Sequence, residues 1–175
     1  RPVRQIQGAG QPTATLRAFN AGLALADERY LPRPYLAASL PQLNTESWKV
    51  FSDGRMETSY RLRPNATWHD GTPLSAEDFV FAWRVDTIPA FGLADSAPFV
   101  YMDEAMAPDD RTLVIRWKKP YPDAAMLVDG FQALPRHILA TAYDPGQPDT
   151  MMNHIYWSRE YVGLGIVAVK PFLAS

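Results

Sequence analysis

His69 and Asp70 stand side by side, and a histidine beside a carboxylate is a residue pair suited to general acid/base chemistry. Adjacent side chains rarely converge on one reacting atom, however, and His69-Asp70-Gly71 reads better as a turn. His137 and His154 lack the close spacing of a preformed metal pair and have no second ligand motif nearby, so no metal site is expected. Ser39, Ser75 and Ser158 sit in no nucleophile-elbow pattern, which leaves serine hydrolysis without support. Gly8-Ala9-Gly10 and Gly163-Leu164-Gly165 resemble fragments of phosphate-cradling loops. Neither has the third glycine or the Lys-Ser/Thr that would grip a pyrophosphate, so both read as turns. The absence of cysteine removes disulfides, thiol catalysis and thiolate metal sites together. The expectation from these residues is a chain with no catalytic residue, no metal and no cofactor.

The elements that position these residues can be read from their periodicity. Ser75 has the character of an N-cap, Glu77 and Asp78 place negative charge in the first turn, and Ser-x-x-Asp approximates a capping box. Ala76, Phe79, Val80 and Trp83 follow at i, i+3, i+4 and i+7, which predicts a helix with one apolar stripe. Met56, Thr58, Tyr60 and Leu62 alternate with Glu57, Ser59, Arg61 and Arg63, the pattern of a strand with one wet face. It follows Trp48 to Phe51 across Ser52-Asp53-Gly54-Arg55, a hairpin signal. A second hairpin is expected to join Phe99 to Met106 with Thr112 to Lys118, turning at Pro108-Asp109-Asp110 and facing Leu113, Ile115 and Trp117 inward. A shorter helix is expected from Pro135 to about Tyr143, with proline at the first helical position. Pro32 to Pro34, Pro120 to Pro122 and Pro145 to Pro148 read as connections. The fold class is therefore α+β: an antiparallel sheet of two or more hairpins packed against a few helices.

A chain of 175 residues is long enough for one domain with its own core. With 47 % hydrophobic and 21 % charged residues it is neither disordered nor fibrous. A formal net charge of -2, with Arg and Lys scattered, argues against a nucleic-acid partner. No apolar run approaches the roughly 20 residues needed to span a bilayer. No signal peptide is visible after Arg1, so an export signal is expected to lie upstream or to have been removed. Most of the aromatic residues, 12 % of the chain, are assigned to core packing.

Taken as a whole, Trp68 to Arg84, WHDGTPLSAEDFVFAWR, resembles the signature of the extracellular solute-binding proteins of ABC importers, the dipeptide, oligopeptide and nickel-binding family 5. Five further stretches are similar to that family in the same order. They are Phe19-Asn20-Ala21-Gly22-Leu23 with Leu36 to Leu40, Ala107 to Leu113, Lys119 to Pro122, Leu134 to Leu139, and Tyr161 to Gly165. The resemblance spans 19–165 and implies a subdomain of a type II periplasmic-binding-protein fold. Members are several times longer than this chain, with two lobes closing over a ligand. It also implies that residues 1–18, with no periodicity, are a poorly ordered segment continuing into another lobe. Residues 166–175, where Pro and Tyr would follow Gly165 in the family, are expected to be a divergent or artefactual tail.

The implied function is non-enzymatic: capture of peptides or similar small solutes, with ABC permease subunits as partners. The implied location is periplasmic or extracellular, with lipid anchoring through an upstream segment as one form. By the same resemblance Phe19 to Gly22 lies nearest the ligand cleft, which makes Asn20 and Gly22 the candidate ligand-binding residues, and Tyr161 to Gly165 is where the chain returns to the main lobe. A stand-alone protein-interaction module derived from such a subdomain is the alternative.

Overall fold

The computed structural model describes residues 21–127, 130–158 and 161–164. Asn20, the expected disordered segment 1–18 and the expected divergent tail 166–175 lie outside them. The described chain builds ten strands and helices: β1 (Ala24–Ala26), β2 (Pro32–Pro34), β3 (Ala37–Ser39), β4 (Trp48–Val50), β5 (Met56–Leu62), α1 (Ala76–Asp86), β6 (Met102–Asp109), β7 (Thr112–Trp117), α2 (Arg136–Leu139) and α3 (Pro148–Met152). Its architecture is the α+β one expected.

The main sheet is antiparallel and runs β3-β5-β7-β6, with β4 also on β5. β4 pairs with the first half of β5 (Trp48 opposite Thr58) and β3 with its end (Ala37 opposite Leu62). β7 pairs with β5 through six positions from Met56 opposite Trp117 to Arg61 opposite Thr112. The period-two pattern of β5 holds: Met56, Thr58, Tyr60 and Leu62 are buried, as are Leu113, Ile115 and Trp117 beside them on β7. Two polar groups on this inner face find partners. The Trp117 indole donates to Thr58 Oγ1 at 2.9 Å, and the Tyr60 hydroxyl to the Ala124 carbonyl. On the wet face Arg116 bridges Glu57 and Glu104 across three strands.

The β4–β5 turn is the expected one, with Gly54 at φ +84°, a backbone region that glycine enters without steric cost. The β6–β7 hairpin differs in detail. Phe99 to Tyr101 form a 3-10 turn, β6 begins at Met102 and continues through Pro108 and Asp109, and the reversal falls on Asp110-Arg111. The Asp109 carboxylate accepts from the Arg111 amide at 2.8 Å, so this side chain closes the turn one residue later than the sequence predicts.

Helix α1 lies on β6 and β7 and starts where expected, but it is buried on more than one side. Phe81 stacks edge-on with Tyr143 at 5.5 Å and Phe79 with Phe131 at 5.7 Å, so the segment 131–143 covers the helix away from the sheet. Trp83, expected in the core stripe, is only partly buried, whereas Val85 and Asp86 beyond it in the same last turn are buried. The helix ends at Thr87, whose hydroxyl donates to the Trp83 carbonyl at 2.7 Å, with Pro89 two residues on.

Two proline segments depart from expectation. Pro32–Pro34 is a strand, paired with β1 in a separate two-stranded sheet where a missing N–H does least harm. The helix expected from Pro135 to Tyr143 is a single turn, α2, continued as a 3-10 turn from Ala140 to Ala142, and Pro135 is its N-cap rather than its first residue. β1, β3 and α3 were not visible in the pattern: three to five residues are too few to show a period.

Candidate functional site

Gly22 is buried and held between strands rather than open to a ligand on all sides. Its carbonyl accepts from the Leu36 amide at 3.3 Å, while the Leu23 carbonyl accepts from Tyr35 at 3.0 Å and Ala37 at 3.2 Å. The backbone at the start of the described chain is thus fixed against the 35–37 segment, and the hairpin that follows is fixed in turn by one carboxylate. Asp27 accepts the amides of Arg29 and Leu31 and the guanidinium of Arg33, each at 2.9 Å. The Leu31 amide first, with the Arg29 amide and the Arg33 charge, holds the Asp27 carboxyl below its ordinary range. Tyr30, at φ +59°, projects from the tip with 82 % of its surface exposed.

The signature stretch forms a node of backbone and side-chain hydrogen bonds. Trp68 donates its amide to the Thr72 carbonyl at 2.8 Å and accepts from Gly71 at 2.9 Å, with Gly71 at φ +88°, so 68–72 is a closed turn as expected. Asp70 Oδ1 accepts the Thr72 amide at 2.9 Å within it. The buried Trp68 indole donates to Asp78 Oδ2 at 3.2 Å. That same oxygen accepts the Ser75 amide at 3.0 Å, and Oδ1 accepts the Arg136 amide at 3.2 Å. The capping box is present, but its strong limb is the Asp78 carboxylate, since the Ser75 hydroxyl makes no cap hydrogen bond and stands 3.5 Å from Asp78 Oδ2.

Asp70 does find a histidine, though not its neighbour: its Oδ2 lies 2.7 Å from His137 Nε2, on α2. Partial burial pushes the Asp70 carboxyl up, but the Thr72 amide and the His137 imidazole outweigh it and hold the group below its ordinary range. A carboxylate oriented on an imidazole is part of a hydrolytic triad. Among the described residues no hydrogen bond links this pair to Ser39, Ser75 or Ser158. His154 is occupied as a cap, accepting from the Tyr156 amide at 3.2 Å. No cluster of three metal-ligating side chains occurs among the described residues. The aromatic side chains are mainly core, as expected, with Trp68, Trp117, Tyr60, Tyr156, Phe79 and Phe131 among the largest fully buried groups. No described helix is long and apolar enough to cross a membrane.

Comparison with known proteins supplies what this geometry lacks. Residues 39–162 match the model of the bacterial extracellular solute-binding proteins, family 5, middle region. A putative ABC transporter peptide-binding protein of Brucella ovis is 26 % identical over 111 residues, 63 % of this chain and 20 % of that protein. The solved structure of the murein tripeptide-binding protein MppA of Escherichia coli superimposes with a TM-score of 0.68 at 22 % identity, over 94 % of this chain and 32 % of that one. NikZ of Campylobacter jejuni, solved in complex with Ni(L-His), superimposes with a TM-score of 0.65 at 22 % identity, over 86 % of this chain and 27 % of that one. These likenesses show the fold, that of the periplasmic binding proteins. The chain spans about a fifth of the length of the Brucella relative.

Proposed function

We propose, since this chain belongs to the bacterial extracellular solute-binding proteins, family 5, that it is part of the substrate-binding component of an ABC importer and captures peptides or similar small solutes for uptake. The observation that carries the reading is the family match over 39–162, with curated relatives described as peptide-binding proteins. Its partners are then the permease subunits of the importer, its place the periplasm or cell exterior with or without a lipid anchor, and it catalyses no reaction. A binding function agrees with the site chemistry, in which the Asp70–His137 pair is tied into a turn.

Within this reading Asn20 and Gly22 contribute polar or backbone contacts at the ligand cleft, and the domain occupies 19–165. The Gly22 carbonyl already accepts the Leu36 amide at 3.3 Å, so what this residue brings to a cleft is a backbone fixed in place. Capture proceeds by closure of two lobes around the solute. The test is uptake of radiolabelled di-, tri- and pentapeptides by cells with and without the gene. Loss of uptake of at least one peptide on deletion is expected; unchanged uptake of every peptide would refute the peptide assignment.

A further inference from the structure

The signature turn has contacts on two sides that no binding or catalytic role uses. Three bonds close it: Trp68 amide to Thr72 carbonyl, Gly71 amide to Trp68 carbonyl, and Thr72 amide to Asp70 Oδ1. A five-residue loop so closed moves as one body. From one side Asp70 Oδ2 holds His137 of α2 at 2.7 Å. From the adjacent residue the His69 amide donates to the Gly163 carbonyl at 3.0 Å. The 161–164 segment is pinned again by the Tyr156 hydroxyl on the Val162 carbonyl at 3.0 Å, by the Tyr156–Tyr161 ring contact at 5.2 Å, and by Leu164, which is 7 % exposed.

We propose that the Trp68–Thr72 turn is a positioning clamp that couples α2 to the 161–164 segment, so that the Asp70–His137 contact sets how the 161–164 segment is seated against the domain. The mechanical link is short. His69 and Asp70 are consecutive, and a tilt of the turn that follows His137 must carry the His69 amide with it, stretching its bond to Gly163. Trp68 supplies the fulcrum, since its buried indole is anchored to Asp78 at the start of α1. The significance for capture rests on the reading above: where a ligand is held between two bodies, the angle at which one joins the next governs how well they meet. The coupling itself is a property of these residues and needs no ligand.

Amide hydrogen exchange of this chain, read residue by residue by NMR, tests it. In the unaltered protein the His69 amide is expected to be protected. His137→Phe keeps a ring against Trp68, whose centroid lies 6.0 Å away, but removes the bond to Asp70. It should speed exchange at both His69 and Leu164 by about threefold to fivefold, the size set by one partly exposed side-chain hydrogen bond, and leave Thr58 and Ile115 unchanged. Tyr156→Phe, which frees Val162 from the opposite end, should speed exchange at His69 as well as in 161–164. Faster exchange confined to 135–139 in the first variant, or to 161–164 in the second, would overturn the coupling. So would a uniform rise across the whole domain in both, which would make the clamp no separate unit. Because no solute is present, failure here leaves the transport reading standing, and failure of peptide uptake leaves the clamp standing.

Discussion

Replacing Asp78 by alanine should destabilise this domain more than any change to the residues that look chemical. The carboxylate is 4 % exposed and accepts three N–H groups, from Ser75 at 3.0 Å, the Trp68 indole at 3.2 Å and Arg136 at 3.2 Å. An unsatisfied buried donor costs about 1 to 3 kcal/mol. The indole is in a fully buried ring and is worth roughly 2 kcal/mol on that scale, whereas the two amides are part-buried and water reaching the vacated space limits each to about 0.5 to 1 kcal/mol. Loss of a negative charge from the first turn of α1 adds about 0.5 kcal/mol. Relief of the carboxylate's own desolvation works the other way. The net expectation is about 3 kcal/mol, measured by urea unfolding followed by far-UV circular dichroism, with the slope against urea unchanged. Trp68→Phe removes the indole donor, so Asp78→Ala should cost about 1 to 2 kcal/mol less in that background than alone. A loss below about 1 kcal/mol for Asp78→Ala, or simple additivity of the two changes, would refute the assignment of Asp78 as the shared acceptor.

Ser75→Ala should cost only a few tenths of a kcal/mol, below the roughly 1 kcal/mol of a hydroxyl-capped helix, because the Asp78 limb of the box survives; the same urea titration reads it. Trp68→Ala should cost about 3 to 5 kcal/mol and Trp83→Ala clearly less, because only the first ring is fully buried. Asp27, Asp53 and Asp109 are held below the ordinary carboxyl range chiefly by backbone amides, from Leu31, Arg55 and Arg111, and Asp70 by Thr72 and His137 against the opposing pull of burial. A depressed folded-state carboxyl stabilises above its unfolded value near 4 and loses that contribution as pH falls through the folded one, so the urea midpoint should drop below about pH 4 and drop less steeply in Asp70→Asn. On the transport reading proposed above, calorimetry of this chain with di-, tri- and pentapeptides should show no dissociation constant tighter than about 10 μM, since one part of a site closed by two lobes offers only part of the enclosure that binding needs.

What the sequence makes legible follows the range of the forces involved. β5 and β7 were readable because their period-two pattern reports one buried face over six or seven residues. The Asp53-Gly54 turn was readable because its chemistry is local: Gly54 takes a positive φ and the Asp53 carboxylate accepts the Arg55 amide at 3.0 Å. The three-residue strands β1 and β2 left no such trace, and the prolines of β2 pointed the other way. Burial of α1 on two sides was half visible: Phe81, Ala82 and Val85 widen the apolar stripe in the sequence, but Tyr143, which covers Phe81, lies 62 residues on. The Asp70–His137 pair is beyond any local pattern, because its members are 67 positions apart and only the packing of α2 against α1 brings them together. Of the candidate ligand contacts, Gly22 was placed by a motif and turns out to be buried, while Asn20 lies outside the described residues.

The distribution of polar bonds also bears on what a stretch so rich in titratable groups does in the fold. At this node every carboxylate oxygen of Asp70 and Asp78 already accepts at least one hydrogen bond within the fold. Both oxygens of Asp78 accept backbone or indole donors, and both oxygens of Asp70 are engaged, one by Thr72 and one by His137. Groups used this way fix geometry, and in a binding protein geometry is what separates a good solute from a poor one. A change at the node should therefore appear as altered stability or altered affinity across all solutes alike. A change at the cleft should instead reorder the solutes, and that difference separates positioning residues from contact residues in any substitution series on this family member.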